Sequence, residues 1–437
     1  MKPLYAKTIL LQTISKMESD PSPFVNRPGI DFIRNRKCPM SSVIRCILSM
    51  EAHSLTSEIR SFFKGASPPT KSAFVQQRDK LNEQAFPHLF SQFNKMAPFS
   101  KTYKGYHLLA CDGSDVNIPA LKDDNSTYVQ SNTKGVGYHQ IHLNALYDLL
   151  EKRYADIYIQ PRAIVDEREA FCTFLSRDTI QQKSLFICDR GYFSMNVLAR
   201  LCLSKHSFVL RMIAPKSKNT FLRRFNLPES EQFDISISFC ASRNYKKSLS
   251  EHGIPHIHLR PDRPFDLIPV DDHFSSREFS LRLIKLSLSD NKGTENCEYL
   301  LTNLSSKTFR LEDIRYIYGL RWGIETSFCH LKYNVGLSYF HSIKRSSIFQ
   351  EVYARVILYN LTMLLASGIS PPRKDTQYEY KVSIADAVIT ARMFLNNCIS
   401  VANLKELLHR YLTPVRPGRA SPRKIRSKRV FSLHNRV

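Results

Sequence analysis

Six side chains carry the chemistry this sequence offers: Tyr318, Arg321, Glu325, Lys332, Asp112 and Asp189. The first four lie within YGLRWGIETSFCHLK, residues 318–332, at offsets of three, four and seven. At about 100° per residue those offsets return to nearly the same azimuth, so a helix here puts a phenol, a guanidinium, a carboxylate and an ammonium on one stripe. A carboxylate flanked by two cations suits a metal-dependent site acting on a phosphodiester, the acid holding metal and the cations taking phosphate oxygens. Taken alone, the same stripe also reads as a solvated face with an i, i+4 ion pair, and only further carboxylates separate the two readings. Asp112 follows the apolar run LLAC and Asp189 follows LFIC, and both precede a Gly-containing turn, DGS and DRGY. Either aspartate alone reads as turn chemistry. Together they place two carboxylates at the mouths of buried strands, a costly position that a metal or cation relieves. With Glu325 they make a candidate three-carboxylate metal site; Asp115, just past the expected strand end, is a competing ligand.

The elements that must position these residues follow from hydrophobic period. Up to about residue 100 the pattern is helical, broken by GASPPT at Gly65 to Thr70, and basic residues such as Lys71, Arg78 and Lys80 suit a helix docked on DNA; the alternative is a helical cap on the next domain. Near Lys104 the period changes to two. Tyr106 to Pro119, Tyr138 to Leu150 and Arg153 to Arg162 read as three strands, followed by an amphipathic helix, the strand Ser184 to Tyr192, another helix and a fifth strand. This is a mixed α/β sheet, in which acids at the ends of neighbouring central strands converge. Residues 214–310 turn to short strands and loops, a β-rich insertion between the second aspartate and the glutamate. The division expected is therefore 1–100, helical and DNA-binding; 101–213, first part of a catalytic domain; 214–310, insertion; 311–370, catalytic helix and the rest of that domain; and 371–437, helical with a basic tail.

A net charge of +24 and a pI near 9.6 favour polyanionic partners, nucleic acid first and an anionic membrane surface second. The apolar run from Val356 is interrupted by Asn360 and preceded by Arg355, so it reads as a buried helix and no membrane span is expected. The first residues show no secretion signal. Ten scattered cysteines without a CxxC pair argue against a zinc site or a disulfide scaffold and fit reduced thiols. His252, His256 and His258 lack a ligand set and read as surface or interface histidines. Arg260, Arg282 and Lys285 suit a DNA backbone. Trp322, the only tryptophan, falls off the stripe and reads as core packing rather than base stacking. From Arg416 onward eight basic residues and no acid form a candidate phosphate-binding arm.

The pattern Y-x2-R-x3-E-x6-K, with CDGS at Cys111 to Ser114, DRGY at Asp189 to Tyr192, and the flanks LLTNL and LRWGIE, resembles DDE-class transposases of bacterial insertion sequences, the insertion-sequence-four family. The resemblance covers roughly Tyr106 to Ser367. It implies a ribonuclease-H-like fold with a β-strand insertion, and two divalent ions, magnesium or manganese in its place, on Asp112, Asp189 and Glu325. It also implies that Tyr318, Arg321 and Lys332 contact the DNA end. One such centre first hydrolyses the transposon end and then joins it to target DNA. The expected partners are transposon ends and target DNA, with a homodimer in the DNA complex, and the expected location is the bacterial cytoplasm, on the nucleoid. A metal nuclease or an inactive relic on the same fold, and a basic DNA-binding protein without catalysis, are the competing readings.

Overall fold

The computed structural model describes residues 3–416 apart from 35–36, 66, 122–123, 131–136, 178–182, 218–219, 245–253, 290–294 and 370–376. His252 and the basic tail beyond Arg416 lie outside the described residues. Five helices come first: α1 (Pro3–Ser19), α2 (Met40–Ser49), α3 (Leu55–Phe63), α4 (Lys71–Arg78) and α5 (Ala85–Met96). Ser54 and Thr70 start α3 and α4 by accepting the N–H groups of Ser57 and Ala73, which would otherwise have no helical partner.

The strands β1 (His107–Ile118), β2 (Tyr128–Val129), β3 (Tyr138–Asp148), β4 (Arg153–Pro161), β5 (Ser184–Cys188) and β6 (Ser207–Met212) come next, with α6 (Glu167–Arg177) before β5 and α7 (Met195–Leu203) before β6. Then come β7 (Phe233–Ser242), β8 (His256–His258), β9 (Ser276–Ser289) and β10 (Glu295–Thr302). The last part holds α8 (Leu311–Leu320), α9 (Trp322–Cys329), a π-helical turn at His330–Asn334, α10 (Arg345–Ser367), α11 (Ile384–Leu395) and α12 (Val401–Arg410), with β11 (Glu379–Val382) and β12 (Leu412–Val415) paired apart from the main sheet.

Strands β1 to β10 form one sheet. β3 lies antiparallel between β1 and β4, while β5 and β6 run parallel to β1. The order β4-β3-β1-β5-β6, three antiparallel strands and then two parallel ones reached through helices, is the ribonuclease-H-like arrangement. β10 pairs antiparallel with β6 and passes the sheet on through β9, β7 and β8. The strands after β6 thus lengthen the central sheet instead of standing apart from it.

Alternation along β1 divides two cores. Leu108, Ala110, Val116 and Ile118 face the side packed by α1, α2, α5, α8, α9, α10 and α11, whereas Leu109 and Cys111 face α6 and α7. Helix α10 is buried nearly all round, and its polar residues find partners: Arg355 bonds the carbonyls of Met50 and Glu51. Asn360 accepts from the N–H of Tyr154 at 2.8 Å and donates to its carbonyl at 2.8 Å. No helix among the described residues is long and apolar enough to cross a membrane.

Arg78 does not face DNA as its place in a basic helix suggests. It is buried, with Nε donating to Gln350 at 2.9 Å, Nη1 to Glu351 at 2.9 Å and Nη2 to the Ser347 carbonyl at 2.5 Å. Arg282 is likewise taken inward, donating to Asp234 at 2.7 and 2.6 Å and to the Phe309 carbonyl at 2.8 Å. In both cases burial of a guanidinium requires several acceptors, and the fold supplies them. Burial alone would push the Glu351 carboxyl up, but Arg78 and His341 outweigh it and hold it down at about 2. Replacing Glu351 by Gln is expected to lower the unfolding free energy by about 3–5 kcal/mol, since it leaves a buried guanidinium without its counter-ion. Because the folded value lies below the ordinary 4.5, the Glu351 contribution is complete above about pH 4.5 and disappears as pH falls toward about 2. Urea unfolding at pH 7 and pH 3 measures both effects.

Candidate active site

Asp112 and Asp189 owe their proximity to strand register. β1 and β5 pair in parallel with Cys111 opposite Cys188, so the next residue on each chain is an aspartate. Asp112 is not at the mouth of its strand, as its place after the apolar run suggests: β1 continues to Ile118, within the Tyr106 to Pro119 strand read from the sequence, and pairs with β3 as far as His139. Since Cys111 points to the α6 and α7 side, Asp112 points to the opposite face, where α8 and α9 pack. Its Oδ1 accepts the Gly113 N–H at 2.9 Å. Asp189 lies one residue beyond β5 and accepts the Arg190 N–H at 2.7 Å as the cap of a short 3-10 turn.

The helical stripe is present but not uniform. Arg321 is the junction between α8 and α9, and Lys332 sits in the π-helical turn after α9. Arg321 Nη2 donates to Glu325 Oε1 at 2.9 Å, and its guanidinium lies 5.8 Å from the Tyr318 ring centre and 5.2 Å from that of Trp322. Trp322 is 55% exposed, so the tryptophan is not the core residue its position off the stripe suggests; it is a flat surface beside Arg321. Lys332 Nζ reaches β1, donating to Ser114 Oγ at 2.7 Å and to the Asp115 carbonyl at 2.7 Å. The extra residue of a π turn re-aims a side chain that an ideal helix would leave in line with Glu325.

Electrostatics tie these groups into one site. Burial comes first in raising the Asp112 carboxyl to about 6, with Glu325 and Glu167 adding to it against the Gly113 N–H and Arg321. Burial also raises the Tyr318 phenol to about 12. Burial works against the charge on Arg321, but Tyr318, Asp189 and Glu325 outweigh it. Lys332 is pulled down by burial. The Tyr318 hydroxyl and Arg321 Nε are buried without a hydrogen-bond partner among the described residues, two donors left over for a ligand.

Three carboxylates on adjoining elements, one of them desolvated, are the oxygen donors that magnesium or manganese takes. Among the described residues, however, no group of three His, Cys, Asp or Glu side chains is set to hold an ion. Guanidinium groups stand beside two of the three: Arg321 bonds Glu325, and Arg211 Nη1 lies 3.7 Å from Asp189 Oδ1. Asp115 is engaged elsewhere, through His142 and Arg162.

The profile described as Transposase DDE domain matches residues 103–361, more than half of the chain and every residue of this site. The chain belongs to that family. A cryo-EM structure of a piggyBac transposase synaptic complex with hairpin DNA is similar at 12% identity and a TM-score of 0.47, over 97% of this chain and 88% of that one. No curated protein sequence matches the chain.

Four residues near the site carry no recognisable signal in the sequence: Arg211, Glu298, His142 and Glu167. Arg211, on β6, joins Asp189 to Glu298 on β10, 3.2 Å away, so a residue of the β-rich segment reaches the site through one guanidinium. His142, on β3, lies 2.7 Å from Asp115 and 3.2 Å from Glu167, the first residue of α6. Burial pushes the imidazole down, but the two carboxylates outweigh it and raise it to about 9. A Cβ on Gly113 would fall 2.1 Å from His142 Nε2 and 3.0 Å from Glu167 Oε1, so only glycine fits between the aspartate and Ser114. Gly113→Ala is expected to destabilise the protein by about 1–3 kcal/mol through this overlap, read as a lowered midpoint in urea.

Proposed function

We propose that this chain is a DNA transposase of the insertion-sequence-four type, which binds the terminal inverted repeats of its element, cleaves them and joins them to target DNA. The observation that carries the reading is the parallel pairing of β1 with β5 that ends with Cys111 opposite Cys188, so that Asp112 and Asp189 are the next residue on each, within the matched family segment that also holds the Arg321–Glu325 pair. In this reading Asp112, Asp189 and Glu325 hold two divalent ions, magnesium or manganese. Held there, such ions would supply Lewis-acid activation of a water or a 3′-hydroxyl at the scissile phosphate.

The rest of the chemistry belongs to the chain's own residues. Arg321 brings a buried guanidinium with an unused Nε, suited to two oxygens of a phosphate at the DNA end. Tyr318 presents a neutral buried phenol whose hydroxyl donates to the same strand. Lys332, whose ammonium reaches Ser114 on β1 from the π-helical turn, gives a point charge for the next phosphate. Glu325, which would hold an ion in this reading, also accepts a bond from Arg321 Nη2, so the cation meant for the phosphate stands beside an expected metal ligand. The five-part division 1–100, 101–213, 214–310, 311–370 and 371–437, a homodimer on paired DNA ends and a place on the bacterial nucleoid belong to this proposal.

The decisive experiment supplies the purified chain with a duplex carrying the inverted repeat that flanks its coding sequence, with and without magnesium. Cleavage followed by strand joining is expected. Asp112→Ala, Asp189→Ala and Glu325→Ala should each reduce cleavage by roughly 1000-fold or more while end binding in a gel-shift assay persists. Nicking without joining would favour a nuclease, and binding without either an inactive relic; undiminished cleavage by any one variant would overturn the site assignment.

A further inference from the structure

On the opposite face of β1 from Glu325, a second set of charged groups is built around one imidazole. His142 stands directly across from Asp115 in the β1–β3 ladder, and its Nδ1 lies 2.7 Å from Asp115 Oδ1. Its Nε2 lies 3.2 Å from Glu167 Oε1, and the ring fills the space over Gly113 that a side chain there would need. The side chain of His142 is only 8% exposed. Arg162 closes the group at 3.5 Å from Asp115.

What this ring touches decides its role. The peptide N–H of Gly113, on which the ring rests, donates to Asp112 Oδ1 at 2.9 Å. The residues on the other side of Gly113, Ser114 and Asp115, accept both bonds of Lys332. One ring therefore fixes the four-residue stretch Asp112 to Asp115 from behind, with Glu167 holding it at the α6 side and Asp115 at the β1 side.

We propose that His142 is a positioning residue that aims the Asp112 carboxylate and the Lys332 ammonium together, through the backbone of Gly113 to Asp115. This rests on the transposase reading for the use of the site, and on the structure alone for the linkage. Groups behind a ligand commonly change metal affinity by about 10–100-fold without touching the ion.

The test is Mn2+ binding by the full chain without DNA, measured calorimetrically, beside circular dichroism and a gel shift on end DNA. His142→Ala is expected to weaken Mn2+ binding about 10–100-fold while leaving a cooperatively folded protein. His142→Gln, whose amide reaches the Nε2 position, should recover most of the affinity. Folded His142→Ala with Mn2+ affinity within about twofold of the parent overturns the proposal, the expected change being at least about tenfold. If His142→Ala does not fold, Glu167→Gln and Glu169→Gln decide: both remove one charge from the start of α6, and Glu167 is the one paired with His142. A loss of about tenfold for Glu167→Gln alone supports the linkage; equal losses, or none, overturn it. A parent protein that binds Mn2+ yet neither nicks nor joins end DNA would sink the transposase reading and leave the His142 comparison standing.

Discussion

The rest of the site depends on the in-register parallel pairing of β1 with β5. With Cys111 opposite Cys188, the two following aspartates are neighbours by construction, and the burial of both cysteines against α6 and α7 sends Asp112 to the other face. A slip of one residue would exchange those faces and put a thiol where the carboxylate belongs. The antiparallel ladders that bind β3 to β1 and β4 resist such a slip, since each runs for eight pairs or more. The geometry of the candidate site is thus first a matter of sheet register and only then of helix placement.

The second constraint is charge. Guanidinium groups stand at two of the three candidate carboxylates, Arg321 at Glu325 and Arg211 at Asp189. At Asp112 burial, with Glu325 and Glu167 adding to it, outweighs the Gly113 N–H and the Arg321 charge and raises the carboxyl to about 6. Arg211 is also held by Glu298, itself raised by burial, from a strand that enters the sheet some ninety residues later in the chain. The β-rich segment therefore does more than lengthen the sheet: it sets the balance of charge at the second aspartate.

Much of this is legible in the sequence. The two apolar strand segments that carry the aspartates, the helical stripe and the β character of residues 214–310 follow from period and composition, because burial imposes those patterns locally, although β7 and β9 are longer than the short strands expected. The likeness to DDE transposases rests on residues that all fall within the matched family segment. Local pattern misleads on where a charged or aromatic side chain goes. Arg78 and Arg282 sit in basic stretches that suit DNA and are nevertheless buried, since their acceptors come from residues 269 to 273 positions away for the first and 22 to 48 for the second. Trp322 lies off the stripe as a core residue would and is nevertheless exposed, beside the Arg321 guanidinium. The partners of His142 and Arg211 are set by tertiary contact, for which a single sequence holds no local signal.

Asn360, the residue that interrupts the apolar run of α10, has a meaning that emerges only at the border of the sheet. Its amide bonds the N–H and C=O of Tyr154 on β4, the two groups a further strand would have used, and Asn94 on α5 adds bonds to the carbonyls of Tyr154 and Ala155. Two helix side chains therefore imitate a neighbouring strand. At the other border β8 is three residues long, too short to template much pairing. The β4 border of the sheet is in this way covered at Tyr154 and Ala155 by helix side chains, where a further strand would pair.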